Sequence, residues 1–276
     1  MRRIAAQRVV LATGGFGANC ELLAAHIPEM AQAPYFGAPS NTGEGIVWGL
    51  EAGAMLAHMA GYQGLGYVVP DHNTRLHPGA ITGGGIIVNL AARRFEREDL
   101  GYSEWGRVLH GQPGGVGVAI WDEEAHRAVA WTAQMVESQQ AGALARCETV
   151  GEVAQRFGLD VATLAETLAA HNRAVAEGRD PLGRRKLPKQ LIPPYYAARV
   201  CGALAHTQGG LRIDLHGRVL RPDGRPVPNL YAGGGSAVGI SGRGADGYIG
   251  GNGLLAALGL GKLAGDHAAT SIHTGD

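Results

Sequence analysis

Cysteine is scarce in this sequence, which argues against two common kinds of scaffold. Only 3 of the 276 residues are cysteine. Cys20, Cys147 and Cys201 lie far apart and lack the C-x-x-C or histidine-flanked spacing of metal ligands. We therefore expect neither a disulfide framework nor a metal site, and the default prediction is a reducing, cytoplasmic location.

Net charge and long apolar runs are also lacking. The 24 Lys and Arg residues balance 24 Asp and Glu residues, so we expect neither nucleic acid nor an anionic membrane surface as a partner. No run of 18 uninterrupted apolar residues occurs, and the first 15 residues lack the apolar core of a signal peptide. We therefore predict no membrane span and no signal peptide. The length and the 45% hydrophobic content predict a globular chain of one large or two modest domains.

Glycine, in contrast, is abundant. The chain has 45 glycines, about one residue in six. Many fall in clusters beside short apolar runs, at 14–15, 83–85, 233–235 and 250–251. Such clusters suit backbone that turns sharply or approaches a ligand closely. Loose turns in an α/β protein are the simpler alternative for any one cluster.

The pattern of apolar residues divides the chain into α/β, mostly helical and again α/β sections. In the first section it predicts a buried strand over 7–12 and helices over 20–26 and 46–54. The middle section is predicted to contain a loop-rich stretch (61–85), strands (85–89 and 116–122), helices (123–175) and an exposed, proline-punctuated connector (178–194). The last section predicts a hairpin and strand over 209–235 and a helix over 252–269.

Two glycine motifs near the C-terminus differ in their meaning. Gly242, Gly244 and Gly247 spell G-x-G-x-x-G, but no strand precedes them, so we interpret the match as fortuitous. Gly250 and Gly251 precede a predicted helix whose first N–H groups are unpaired and attract a phosphate or a delocalised anion. Tight packing of the helix on a strand is the alternative explanation.

Several segments, in this order, carry a resemblance to a known family. They are VVLATGGFGAN (9–19), NTGEGIVWGLEAGA (41–54), GGIIVN followed by RRFERE (84–98), HTQGGL (206–211) and NLYAGGG through GGNGLLAALGLGKLAG (229–265). Together they resemble the fumarate reductase and succinate dehydrogenase flavoprotein superfamily, in its soluble branch that includes 3-ketosteroid dehydrogenases. The resemblance implies FAD as the cofactor and a split FAD-binding domain (1–62 and 199–276) that brackets a capping domain (63–198).

One part of the family pattern does not occur. Family members have an N-terminal βαβ unit with G-x-G-x-x-G, which holds the ADP half of FAD, well before the strand that matches residues 9–12. We therefore expect that the chain is a fragment or that a second polypeptide supplies that half in a heteromer. The chain by itself is then expected to bind FAD weakly.

The resemblance also assigns cofactor contacts residue by residue. Gly235 falls where many members have a glutamate that binds the ribityl chain, so this contact is weaker here. The residues assigned to the cofactor are Ala12, Thr13, Gly14, Gly15, Asn41, Thr42, Gly43, Glu44, Gly234, Gly235, Gly251, Asn252, Gly253, Leu254 and Leu255.

The resemblance places four residues in the active site. His206 and Thr207 match the family's His-Thr pair, and Tyr102 and Tyr248 fall where fumarate reductases have arginines. An arginine fork binds a carboxylate through two hydrogen bonds and tyrosine cannot, so a C4 dicarboxylate is disfavoured. Tyrosine at both positions resembles the ketosteroid dehydrogenases, in which one phenolate removes a proton and another phenol polarises a carbonyl. Alternatively, Tyr102 is a surface residue of the capping domain, and Tyr248 is a packing aromatic in a loop.

The sequence therefore predicts an FAD-dependent oxidoreductase acting on a CH–CH bond next to a carbonyl, with a hydrophobic cyclic ketone such as a 3-ketosteroid as substrate. A fumarate or enoate reductase is the alternative within the same superfamily. A non-catalytic subunit of a heteromeric flavoprotein is the alternative outside enzymes.

Overall fold

Two chain segments that lie far apart in the sequence fold together. The computed structural model describes residues 4–274. Met1–Gly64 and Leu204–Asp276 form a first unit, and Leu65–Ala203 form a second. The domain boundaries predicted at 62/63 and 198/199 remain predictions.

The strands within the described residues are β1 (Val9–Leu11), β2 (Leu56–Ala57), β3 (Tyr62–Val69), β4 (Thr74–Arg75), β5 (Ile86–Val88), β6 (Val116–Asp122), β7 (Ala145–Cys147), β8 (Tyr195–Thr207), β9 (Gly210–Leu211), β10 (Arg218–Leu220) and β11 (Pro226–Ala232). The helices are α1 (Cys20–His26), α2 (Glu44–Glu51), α3 (Gly79–Thr82), α4 (Tyr102–His110), α5 (Glu123–Val129), α6 (Ala133–Gln140), α7 (Val150–Phe157), α8 (Val161–Glu177), α9 (Asn252–Leu255) and α10 (Gly261–Thr274). A π-helical turn, Ala256–Leu260, joins α9 to α10.

The first unit contains a small sheet that joins the two ends of the chain. Its order is β1-β11-β10, with β1 parallel to β11 and β10 antiparallel to it. Leu11 is buried, but Val9 is 45% and Val10 is 40% exposed. The prediction of a buried strand is therefore wrong for these two valines, because β1 lies at the edge of the sheet formed by the described residues.

Helix α2 begins directly after a residue in the left-handed backbone conformation. Gly43 has a φ of 82° at the N-cap, a conformation that glycine adopts without the steric cost of a side chain. Asn19 caps α1 through its side chain, which accepts hydrogen bonds from two backbone N–H groups. Both helices pack on an apolar cluster that includes Phe16 and Ile46. Local capping signals thus fix the loops between β1 and α2.

The second unit is built on a six-stranded sheet with apolar layers on both faces. Its order is β4-β3-β8-β6-β5, and β7 also pairs with β8. On β6, Val118 and Ile120 belong to the cluster that contains residues of α7 and α8, whereas Ala119 and Trp121 belong to a second cluster. Successive strand residues point to opposite faces, so the continuous apolar run of β6 reflects burial on both sides.

The stretch 61–85 is not loop-rich as predicted. It contains β3, in which every residue except Gln63 is buried, and the short helix α3. The glycines that suggested loops serve close packing instead. A side chain at Gly66 would overlap the backbone and Cβ of Trp105, which is fully buried. Glycine here allows β3 to pack directly against the backbone of α4 and does not form a turn.

The proline-punctuated connector is partly buried rather than exposed throughout. Arg184 is 3% exposed and donates hydrogen bonds of 2.9 Å to the carbonyls of Ile81 and Gly85. It also pairs with Glu98 at 3.3 Å. Asp180 pairs with Arg94 at 2.6 Å. These buried ion pairs tie the connector to the sheet, and residue composition alone does not reveal them.

Stability of the second unit should depend on pH through His171. This side chain of α8 is buried, and burial, followed by the positive charges of Arg94 and Arg184 and opposed by Asp180, lowers its pKa from 6.5 to about 4. The unfolded chain therefore binds a proton at higher pH than the folded chain does. The stabilisation is complete above the unfolded pKa and is lost as pH falls from about 6.5 towards 4.

We expect the His171 contribution to the free energy of unfolding to fall by about 2 kcal/mol between about pH 7.5 and pH 5. Denaturant titrations of the chain and of His171→Gln across this range measure it, because the variant should show a shallower pH dependence. His72→Gln, at an exposed histidine, is the control and should keep the slope of the parent. Equal slopes for all three proteins would contradict this assignment.

Candidate functional site

Five segments of the first unit surround a cavity of about 320 Å³. They are the loop after β1, the loop before α2, the end of β8, the loop after β11, and α9 with the turn that follows it. The lining residues are Gly14, Gly15, Asn41, His206, Thr207, Gln208, Gly234, Gly235, Ala237, Gly239, Gly253, Leu254 and Ala256. Six of these are glycines, so backbone rather than side chains forms much of the wall.

The glycines after β1 and β11 are in direct contact. A Cβ atom on Gly235 would lie 2.5 Å from the backbone nitrogen of Gly15, closer than real Cβ atoms come to other atoms. A side chain on Gly15 would overlap the hydroxyl of Thr207, which accepts a hydrogen bond of 3.1 Å from the N–H of Phe16. On this backbone a glutamate cannot replace Gly235 without a shift of the loop.

The residues around the start of α2 position the glycine loops. The Thr13 hydroxyl contacts Ser236 Oγ at 3.1 Å and accepts a bond of the same length from the N–H of Gly45. The N–H of Gly43 donates to the Gly15 carbonyl at 3.0 Å. These bonds connect β1, α2 and the loop after β11. Thr13 therefore holds the glycine loops in place although it does not line the cavity.

His206 lines the cavity and contacts a series of hydrogen-bonded, buried polar side chains. Its Nδ1 lies 2.6 Å from Gln208 Nε2, and Gln208 Oε1 accepts a hydrogen bond from Asn252 Nδ2. Asn252 Nδ2 also donates to Ser241 Oγ at 3.0 Å. The Tyr248 ring meets the His206 ring edge-on with centroids 5.8 Å apart. Burial lowers the pKa of His206, which favours its neutral form.

The sequence-assigned residues divide into two groups. Those that line the cavity are Gly14, Gly15, Asn41, His206, Thr207, Gly234, Gly235, Gly253 and Leu254. Those outside its lining are Ala12, Thr13, Thr42, Gly43, Glu44, Tyr102, Tyr248, Gly251, Asn252 and Leu255. Tyr102 is half-buried on α4 in the second unit, where it packs against the cluster that contains Trp105. All of these functional assignments remain predictions.

Three buried polar residues of the site were not assigned from the sequence. Gln208 is 4% exposed, and Ser236 and Ser241 are fully buried. Each lies within three residues of a glycine cluster or motif. A polar side chain next to such glycines was therefore the feature of the sequence that could have indicated a site residue. Their hydrogen-bond partners lie far away in the sequence, and proximity to glycine does not identify them.

The G-x-G-x-x-G match lies in a loop, in agreement with its interpretation as fortuitous. No strand immediately precedes Gly242 in the part of the chain that the structure describes. The N–H of Gly242 donates to the Gly247 carbonyl at 2.7 Å, which closes the loop on itself.

Comparisons with known proteins agree on a family. A family model described as "FAD binding domain" matches residues 1–254. A protein described as a probable fumarate reductase, Ifc3, from Shewanella frigidimarina is 31% identical over 269 residues, which cover 96% of this chain and 45% of that protein. The chain thus spans about half the length of this relative.

Solved structures share the fold. The open conformation of a flavocytochrome c3 fumarate reductase has a TM-score of 0.77 and 31% identity, over 96% of this chain and 46% of that one. A 3-ketosteroid Δ4-(5α)-dehydrogenase from Rhodococcus jostii RHA1 has a TM-score of 0.67 and 28% identity, over 95% of this chain and 53% of that one. Among the described residues of the present chain, no helix combines the length and apolar character needed to cross a membrane.

The close contact at Gly235 gives a stability prediction. We expect Gly235→Ala to lower the free energy of unfolding by about 1–3 kcal/mol, because the new methyl group overpacks the loop against Gly15. Gly265→Ala on α10 is the matched control, since its Cβ would meet no described atom within 4 Å. The control should stabilise the chain by about 0.5–1 kcal/mol. Chemical denaturation of both variants measures the difference, and equal stability would refute the tight contact.

Proposed function

Because the chain belongs to the family of FAD-binding domains, we propose that its glycine-lined cavity receives the flavin end of FAD. Ligand pockets usually measure about 300–1,000 Å³, and this cavity of about 320 Å³ lies at the lower limit. Its volume suits the ring end of the cofactor rather than the whole dinucleotide.

The lining residues fit a planar ring with one polar edge. Gly14, Gly15 and Gly234 carry no side chains, so a ligand can approach the backbone closely. Leu254 and Ala256 offer apolar contacts, while Asn41 and His206 offer polar ones. Such a combination of apolar surface and a few placed polar groups is typical of cofactor sites.

We further propose that protein outside residues 1–276 holds the ADP end, either another segment of a longer chain or a second polypeptide. The small cavity supports this proposal. So does β1, a sheet-edge strand among the described residues whose Val9 and Val10 are partly exposed. Exposed edges of this kind pair readily with a further strand.

The proposed reaction is oxidation or reduction of a CH–CH bond next to a carbonyl. FAD, when bound, supplies the acceptor or donor of a hydride. The protein must then move a proton at the carbon next to the carbonyl and donate hydrogen bonds to the carbonyl oxygen. His206 lines the cavity, and Tyr248 lies beside it. The assignment of Tyr102 as the base depends on the sequence resemblance alone.

Two substrate classes are equally supported. A hydrophobic cyclic ketone is favoured by tyrosine at both positions where fumarate reductases have arginine, and by the similarity to a 3-ketosteroid dehydrogenase. A carboxylate such as fumarate or an enoate is favoured by the similarity to fumarate reductases. A non-catalytic role in a heteromer stays a third possibility. The proposal depends on one observation. His206 and six glycines line the same cavity in a chain that belongs to an FAD-binding family.

Binding of flavin fragments tests the cofactor proposal. We expect the chain to bind riboflavin, FMN and FAD weakly and within about tenfold of one another, since only the flavin end has contacts here. Calorimetric titration measures the three affinities. Gly235→Ala should weaken all three, while Gly265→Ala should not. FAD binding more than about a hundredfold tighter than riboflavin would show that the chain also holds the ADP end.

The two tyrosines test the reaction. In the flavin-loaded protein with its ADP-binding part, Tyr102→Phe should lower turnover about 10²–10⁴-fold, the usual effect of losing a general base. Tyr248→Phe should lower it by a smaller factor. Turnover is measured with an artificial electron acceptor on a panel of 3-ketosteroids, succinate and fumarate.

Tyr196→Phe is the control for this series. Its hydroxyl donates to Glu123 at 3.0 Å in the second unit, and this hydrogen bond involves none of the assigned residues. It should therefore keep the turnover of the parent. Unchanged turnover in Tyr102→Phe would contradict the assigned base, and a preference for succinate over every ketone would favour the carboxylate class.

A further inference from the structure

A chain of hydrogen bonds with a fixed direction ends on His206. It begins at the backbone N–H of Ile240, which donates to Asn252 Oδ1 at 3.4 Å. Asn252 Nδ2 then faces Gln208 Oε1 and Ser241 Oγ, and Gln208 Nε2 faces His206 Nδ1 at 2.6 Å. Asn252 and Ser241 are at most 1% exposed, so these groups rely on each other for partners.

Backbone groups decide which end of each amide donates. A backbone N–H can only donate, so the Asn252 atom that faces Ile240 must be the oxygen. The Asn252 amino group therefore points towards Gln208, and the Gln208 atom that meets it must be an oxygen. Ser241 Oγ accepts from the N–H of Ile249 at 3.2 Å, and its second acceptor site is available to the Asn252 amino group.

The direction of the chain determines the state of the histidine. With its oxygen turned to Asn252, Gln208 presents its amino group to His206 Nδ1. That nitrogen must accept, so it carries no proton, and the proton of the neutral ring lies on Nε2. We propose that Gln208 is a positioning residue that holds His206 as the neutral Nε2–H tautomer, so that the ring offers a hydrogen-bond donor to a substrate oxygen.

An alternative partner for Nδ1 is weaker. The carbonyl of Thr207 lies 3.5 Å from this nitrogen, whereas Gln208 Nε2 lies 2.6 Å from it. A proton on Nδ1 directed at that carbonyl would require Gln208 to turn its amide. Its amino group would then face the Asn252 amino group at a buried site, with two donors opposed and no acceptor between them.

The other side of the ring is kept open by a glycine. A Cβ atom on Gly253 would lie 3.0 Å from both Nε2 and Cε1 of His206, and Gly253 and His206 line the same cavity. The Tyr248 ring and the Thr207 carbonyl, which also contact the His206 ring, carry no formal charge. A neutral donor in this position suits the oxygen of a ketone or of a carboxylate. The substrate role depends on the function proposed above, whereas the tautomer does not.

Nitrogen NMR of the chain labelled with ¹⁵N-histidine tests the tautomer directly, without flavin or substrate. The His206 signals are assigned by their loss in His206→Asn. We expect Nε2 to be protonated and Nδ1 unprotonated at neutral pH. Protonation of Nδ1, or an imidazolium at neutral pH, would overturn the proposal even if no Gln208 variant folded.

Gln208→Glu is designed to reverse the polarity at one step. Its carboxylate still accepts from Asn252, but its other oxygen now accepts from His206, so the proton should move to Nδ1. A carboxylate at this distance should also raise the pKa of His206 by about 1–3 units. Gln208→Met removes both polar atoms and should leave a mixture of tautomers. Unchanged His206 signals in Gln208→Glu would overturn the proposal.

Gln155→Glu, the same chemical change at an exposed position of α7, is the matched control and should leave the His206 signals unchanged. In flavin-loaded protein, Gln208→Glu should raise KM or lower kcat with a pH profile that follows the NMR titration, an effect that simple loss of stability does not produce. The tautomer is read without cofactor, so failure of the flavin proposal would leave that result standing.

Discussion

The contact between the glycine loops after β1 and β11 is the constraint on which the site depends. Gly15 and Gly235 approach so closely that a methyl group on Gly235 would lie 2.5 Å from a backbone nitrogen. The contact lies at the ends of two parallel strands, where loops in α/β proteins commonly bind ligands. A side chain at Gly15 or Gly235 would force the loops apart. The cavity thus results from missing side chains as much as from those present.

Polar groups behind the loops hold this backbone in place. Ser236 Oγ accepts from the N–H of Thr13 at 3.0 Å, and Thr13 Oγ1 accepts from the N–H of Gly45 at the start of α2. Bare glycine loops have high conformational entropy when unfolded and few contacts of their own. Buried hydroxyl groups offset this by satisfying backbone donors that a glycine-rich turn leaves free. The rigid lining therefore depends on residues that do not themselves line the cavity.

Much of the fold could be predicted from the sequence, and the failures share a cause. The pattern located α1 and β6 at their observed bounds because caps and apolar runs are local signals. It missed β3, because the close approach of the Trp105 backbone to Gly66 cannot be read from the local sequence. It missed the burial of Arg184 for the same reason. Its partners Glu98 and Gly85 lie more than 80 residues away, and no local pattern contains that information.

The polar chain behind His206 shows why such a site is not built from apolar residues. An apolar side chain in place of Gln208 could pack equally well. It would not, however, connect the orientation of the Asn252 amide to the protonation of His206. Amides differ at their two ends, so each amide passes on the orientation of the group before it, and the backbone N–H of Ile240 sets the first orientation. Reversing any single member leaves two donors or two acceptors facing each other in a buried place, at a cost of about 1–3 kcal/mol. The fold around Asn252 thereby determines which nitrogen of a distant histidine carries a proton.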